Sequence, residues 1–229
     1  MPERPRAVVL DIEGTTTPIA FVHQVLFPYA RARLPGFLRD HAADPAVRAE
    51  LEAVRQAAPG QDAVATLQRW IDEDAKATPL KTLQGLIWRQ GYAEGSLQGQ
   101  VYPDVAPVLR RWHAAGFALF VYSSGSVEAQ RLIFGHSTAG DLAGLFAGFF
   151  DTRTGPKREA DSYRAIASAI GLPAAAILFL SDAEAELDAA AAASLQTCQL
   201  VRAEDGTVAT ARHPTARDLA DAGRRAGLP

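Results

Sequence analysis

The chain has 229 residues, 48% apolar and 21% charged, with a formal net charge of −3. That length can bury a substantial core in one large or two small domains, and the slightly acidic balance leaves no basic footprint for nucleic acid. No segment approaches the ~18 uninterrupted apolar residues of a membrane span. The single Cys198 excludes an intrachain disulfide and a thiolate metal cluster and reads as a small core residue. Met1-Pro2-Glu3-Arg4 lacks the apolar stretch of a signal peptide, so a cytoplasmic location is expected.

Ala7-Val8-Val9-Leu10 is an aliphatic run without alternation, the pattern of a strand buried on both faces in a parallel sheet. Gly14 and Pro18 stop the strand and turn the chain. Asp11 and Glu13 are thereby delivered at the strand's C-terminal edge, where open α/β sheets bind ligands, and side chains two apart on an extended segment point the same way.

From Ala20 to Gln98 the pattern is helical. Val47, Leu51 and Val54 are spaced for one helix face, as are Val64, Leu67, Trp70 and Ile71, and then Leu80, Leu83 and Ile87. Asp44-Pro45 and Thr78-Pro79 read as helix starts with a capping residue and proline at the first helical position. Pro59-Gly60 reads as a break, and Pro28 and Pro35 predict a first helical stretch that is kinked or divided. The segment is expected to be an all-α insert of about four helices.

From Val101 strands and helices alternate. Ala118–Tyr122 is a predicted buried strand ending at Ser123-Ser124-Gly125-Ser126, followed by a helix through Val127 to Phe134. Phe149-Phe150-Asp151 is a short strand candidate, and Ala160–Ile170 a helix with Gly171 at its C-terminal cap. Ala176–Leu180 is a strand ending at Ser181-Asp182; a helix over Glu184–Ala193 and a strand at Thr197–Val201 complete the pattern. Repeated β-α order implies right-handed crossovers and a mostly parallel sheet with helices on both faces.

On this plan Asp11, Ser123 and Asp182 all fall at strand ends, and Lys157 lies in the Thr154-Gly155-Pro156-Lys157 loop before a helix. Each has a plain alternative: Ser123 and Asp182 as helix caps, Lys157 as a solvated charge. Their joint placement suits phosphoryl transfer, in which a protein mainly positions and neutralises a group with spread negative charge. Asp11 can accept the phosphoryl group as an aspartyl phosphate, splitting hydrolysis into two steps. Mg²⁺ held by Asp11 and Asp182 would overcome the repulsion between that carboxylate and a phosphate dianion. Lys157 and Ser123 would hold phosphate oxygens, and Glu13 would protonate the leaving oxygen and then activate water.

Taken in this order, the four pieces resemble the motifs of the haloacid dehalogenase-like phosphohydrolases, and in particular the enolase-phosphatase (acireductone synthase) branch of methionine salvage. Asp11-Ile12-Glu13-Gly14-Thr15-Thr16-Thr17-Pro18-Ile19 resembles the opening motif of that branch, and Val121-Tyr122-Ser123-Ser124-Gly125-Ser126-Val127 the second. Phe134-Gly135-His136-Ser137 and Phe150-Asp151-Thr152 are further pieces similar to the branch. Lys157 with Ser162-Tyr163 resembles the third motif, and Phe179-Leu180-Ser181-Asp182 with Glu186-Leu187-Asp188-Ala189-Ala190 the fourth.

The resemblance implies an α/β fold: a Rossmann-like parallel-sheet core, residues 1–19 and 99–229, with an inserted all-α four-helix cap, residues 20–98. It implies Asp11 as nucleophile and metal ligand, Glu13 as acid–base group and ligand through its main-chain carbonyl, and Asp182 completing a site for one Mg²⁺ per chain. Ser123, Ser124 and Lys157 would bind the phosphate of a small molecule, 2,3-diketo-5-methylthiopentyl 1-phosphate, which is enolised and then dephosphorylated. A monomer without nucleic-acid or membrane partners is expected. Of Glu184, Glu186 and Asp188, Glu186 is expected to orient the metal's waters. In the insert, Phe21 is a candidate for the apolar substrate tail as well as for the bundle core, whereas His23 and His41 are not expected to be catalytic. The alternatives are a capped phosphatase for another small ester, a dehalogenase using Asp11 on carbon, and a phospho-receiver.

Overall fold

The computed structural model describes residues 4–229. The chain forms two compact units, one from the N-terminal segment through Ile19 together with Gly99–Pro229, the other Ala20–Gln98. Strand β1 (Ala7–Leu10) is buried at every residue, as its unalternating aliphatic sequence requires.

The helical part of the chain begins with α1 (Ile19–Phe21), which passes through a π-helical turn, Val22–Leu26, into α2 (Phe27–Asp40). The expected division of this stretch is therefore the π turn, where the Phe27 amide donates to the Val22 carbonyl. Pro28, next in sequence, has no N–H to restore the ordinary ladder, and Trp88 Nε1 donates to the Leu26 carbonyl at 2.9 Å. Pro35 is tolerated inside α2. Helices α3 (Pro45–Ala57), α4 (Ala63–Asp72) and α5 (Thr78–Ala93) follow. Asp44 and Asp62 cap α3 and α4 through their carboxylates, but Thr78 does not cap α5: it is already helical, and Ala77 takes the cap position with no side-chain bond. Leu34, Val47, Val54, Leu67, Leu83 and Ile87 are buried. Phe21 is 1% exposed, which favours its packing role over a substrate-facing one. His41 stacks on Phe37 with ring centroids 4.2 Å apart.

The rest of the chain reads α6 (Val105–Ala114), β2 (Ala118–Tyr122), α7 (Val127–Gly135), β3 (Gly148–Phe150), α8 (Ala160–Ile170), β4 (Ile177–Ser181), α9 (Glu184–Ala192), β5 (Gln196–Leu200), β6 (Thr215–Ala216) and α10 (Leu219–Ala226). The six strands form one parallel sheet in the order β3-β2-β1-β4-β5-β6. Val9, Phe179, Tyr163, Ile166 and Leu187 share one buried cluster that seats α8 and α9 on the sheet. Cys198 is buried, and that burial pushes its thiol up to about 11. Strand β6 carries no readable signal, because two residues are too few to show a period, whereas α10 went unassigned although Asp218 caps its start and Gly227 closes its end. No helix among the described residues is long and apolar enough to cross a membrane.

Register places the chemistry. Leu10 pairs with Val121 on one side and Leu180 on the other, so Asp11 emerges level with Tyr122 and Ser181 at the carboxyl edge of the sheet's centre.

Candidate active site

Asp11 is 5% exposed. Its Oδ1 accepts the Ile12 amide at 2.7 Å and the Lys157 ammonium at 2.6 Å, while Oδ2 accepts the Ser181 hydroxyl at 3.1 Å. Lys157 also lies 2.6 Å from Glu186 Oε2 and 5.8 Å from the centre of the Tyr122 ring. With its side chain 10% exposed, Lys157 is not a solvated surface charge. Burial alone would lower its pKa, but Asp11 and then Glu186 outweigh that and hold the ammonium at about 12.

The loop carrying Lys157 is held at three successive carbonyls. Tyr122 OH donates to Gly155 O at 2.8 Å, Ser162 Oγ to Pro156 O at 2.7 Å, and Tyr163 OH to Lys157 O at 2.7 Å. Gly155 is required there: its φ is +147°, and a Cβ would lie 2.2 Å from Ser162 Oγ. A flexible lysine thus stands on a fixed base.

Across the turn, Gly14 has φ +69° and lets Asp182 approach so closely that a Cβ on it would lie 2.5 Å from Asp182 Oδ2. The turn itself is tight: the amides of Thr15, Thr16 and Thr17 all point at the Ile12 carbonyl. Asp182 does not cap α9, whose cap position is Ala183 without a side-chain bond. Burial, then the charge of Asp11, pushes the Asp182 carboxyl up to about 7, with Glu13 adding to the rise and Lys157 opposing it. The Glu186 carboxyl is raised as well, first by burial and then by Asp11, despite its contact with Lys157. One buried and two half-buried carboxyl groups therefore cluster around one ammonium, which touches Asp11 and Glu186.

That surplus of hard, negative oxygen fits a hard divalent cation. Among the described residues no cluster of three or more His, Cys, Asp or Glu side chains is arranged to hold a metal. The donor set on offer is smaller, the Asp11 and Asp182 carboxylates, and Mg²⁺ commonly binds through one or two carboxylates, completed by water and phosphate oxygen.

Ser123 caps no helix; that role belongs to Ser126, whose Oγ accepts the Ala129 amide at 3.2 Å. Ser123 Oγ accepts the Gly125 amide at 3.2 Å, which leaves its own proton to donate. Ser123 and Ser124 follow the last residue of β2, and Glu13 is half-buried in the turn after β1. The structure brings Asp11, Lys157 and Asp182 into one electrostatic cluster and sets Ser123 and Ser124 at the end of the neighbouring strand.

Glu186 Oε2 lies 2.6 Å from Lys157 Nζ, and Glu186 competes with Asp11 Oδ2 for the single Ser181 hydroxyl proton, each oxygen 3.1 Å from Ser181 Oγ, so its carboxylate faces the lysine. Glu184 and Asp188 are engaged by Arg212. Sequence reasoning missed Ser181, Tyr122 and Tyr163, which fix Asp11 and Lys157. The first two had a signal: they end strands that flank Asp11, and parallel register puts strand ends level.

A model of the haloacid dehalogenase-like hydrolase family matches residues 5–194. The chain is 61% identical over 226 residues to an enolase-phosphatase E1 of Granulibacter bethesdensis, covering 98% of each chain. It is 60% identical to one of Gluconacetobacter diazotrophicus, covering 97% of this chain and 95% of that one. Among solved structures, the UTR4 protein of Saccharomyces cerevisiae superposes with a TM-score of 0.80 at 33% identity, over 93% of this chain and 98% of that one.

Proposed function

The chain belongs to the haloacid dehalogenase-like hydrolase family, in its enolase-phosphatase branch, and from that premise we propose the following chemistry for its residues. It is a phosphatase of the acireductone synthase type in methionine salvage. It enolises 2,3-diketo-5-methylthiopentyl 1-phosphate and hydrolyses the ester to 1,2-dihydroxy-3-keto-5-methylthiopentene and inorganic phosphate. The observation that carries the assignment of residues is the buried Lys157 ammonium 2.6 Å from Asp11 Oδ1 at the carboxyl edge of the sheet.

Asp11 is the nucleophile. A carboxylate oxygen bonds to phosphorus as the ester P–O bond breaks, and Glu13 gives the leaving oxygen a proton. Glu13 then takes a proton from the water that cleaves the aspartyl phosphate, releasing inorganic phosphate and restoring Asp11. Lys157 faces the negative charge of the transferring group, and Ser123 and Ser124 donate hydrogen bonds to its oxygens. Asp11, Asp182 and the Glu13 carbonyl would hold one Mg²⁺, which when bound offsets the charge that keeps a phosphate dianion from a carboxylate. The enzyme in this reading is a cytoplasmic monomer acting on a small molecule, with residues 20–98 as its cap.

The test is NMR of the products from the diketone phosphate, with Mg²⁺ and with a chelator. Acireductone and inorganic phosphate are expected with Mg²⁺ and neither without it. Release of phosphate with the diketone left unenolised would make the protein a general capped phosphatase. Full turnover in chelator would remove the metal from the mechanism.

A further inference from the structure

Arg202 follows β5, two strands away from β1 in the sheet, yet its guanidinium ends on the turn that carries the Asp11 motif. It is 3% exposed. Nε and Nη2 donate to the Thr15 carbonyl at 3.1 and 2.7 Å, and Nη1 and Nη2 clasp the Asp104 carboxylate at 2.8 and 3.1 Å. The guanidinium also lies 4.1 Å over the Tyr102 ring. Asp104 in turn accepts the Leu219 amide at 2.8 Å, so the carboxylate that orients Arg202 is itself held. Burying a guanidinium is costly, and only a planar fork with both edges engaged recovers the loss.

Thr15 is held from two directions. Its carbonyl is taken by Arg202, while its Oγ1 accepts the Asp182 amide at 3.0 Å. The next residue, Thr16, donates its hydroxyl to the Asp11 carbonyl at 3.0 Å. The residue before, Gly14, is the one whose bare Cα makes room for the Asp182 carboxylate. A shift of Thr15 therefore moves the Asp182 amide and the Asp11 main chain relative to each other. Arg202 reaches past the end of β4, where Asp182 sits, to pin the far side of that link.

We propose that Arg202 is a positioning residue for the metal site: by holding Thr15 it sets the spacing between Asp11 and Asp182. The inference rests on the reading of those two carboxylates as Mg²⁺ ligands. Groups behind metal ligands commonly alter metal affinity by about 10- to 100-fold when changed. Arg202→Lys keeps the charge and loses the fork; Thr15→Val keeps the shape and loses the hydroxyl that receives the Asp182 amide.

The experiment is calorimetric titration of the wild type and both variants with Mg²⁺ alone, beside their melting temperatures. Leu109→Ala, a fully buried core position in α6 that makes none of these bonds, is the control for simple destabilisation. Both variants are expected to bind Mg²⁺ at least about tenfold more weakly, while the control loses melting temperature and keeps wild-type affinity. If Arg202→Lys does not fold, Thr15→Val decides. Unchanged Mg²⁺ affinity in a folded variant overturns the inference, and so does an equal loss in the control. A wild type that binds Mg²⁺ normally beside unaltered variants sinks the Arg202 role alone; a wild type that binds none removes the metal reading and this inference with it.

Discussion

Helix α9 carries acids on two faces, and they behave oppositely. Glu184 and Asp188, four residues apart, share a face on which Arg212 meets them at 2.6 and 2.9 Å. Glu186 lies about 200° round the helix from each and meets Lys157 at 2.6 Å. The distances are alike, but the Arg212 side chain is 59% exposed and that of Lys157 is 10%. Arg212, through its hydrogen bond, lowers the Glu184 carboxyl to about 2. Glu186 moves the other way, because burial and the neighbouring Asp11 outweigh its lysine. An ion pair in solvent keeps both partners charged but adds little stability because it is screened; one that is buried with surplus charge is poised to bind a cation or an anion.

The largest test of that contrast is Asp11→Asn, which removes the centre of the buried cluster. Phosphate release should fall on the order of 10⁴-fold or more with an unchanged circular dichroism spectrum; turnover near wild type would exclude Asp11 as nucleophile. Lys157→Ala comes next. It leaves Asp11 and Glu186 facing each other without their cation, so kcat/KM should drop about 10²- to 10³-fold. A silent variant would return Lys157 to a purely structural part.

Gly14→Ala tests the close approach of Asp182. The left-handed backbone costs about 1–2 kcal/mol in an alanine, and the added Cβ would lie 2.5 Å from a carboxylate oxygen. Melting temperature and Mg²⁺ activation should both suffer; loss of melting temperature with normal Mg²⁺ activation would mean Asp182 moves aside harmlessly. The smallest effects separate the two faces of α9. Glu186→Gln should lower kcat/KM about tenfold by loosening Lys157, and Glu184→Gln should stay within about twofold of wild type. If the two variants were equally impaired, burial would not be what distinguishes them.

The sequence by itself determined what is local. An unalternating Ala7–Leu10 run can only be covered on both faces, and Asp11 at its end is then at a sheet edge. The helical spacing of Tyr163, Ile166, Ala167 and Ile170 likewise puts them on one face of α8, of which the first three are buried and Ile170 is half-buried. Even the division of α9 was legible in principle, since residues four apart share a face and residues two apart do not. What tertiary structure alone decided is pairing across distance. Lys157 meets Asp11 from 146 residues away, and Arg202 meets Thr15 from 187. No local period encodes such contacts, because they depend on strand order and register. Those same two properties put Ser181 and Tyr122 level with Asp11, and they direct Glu186 to the lysine.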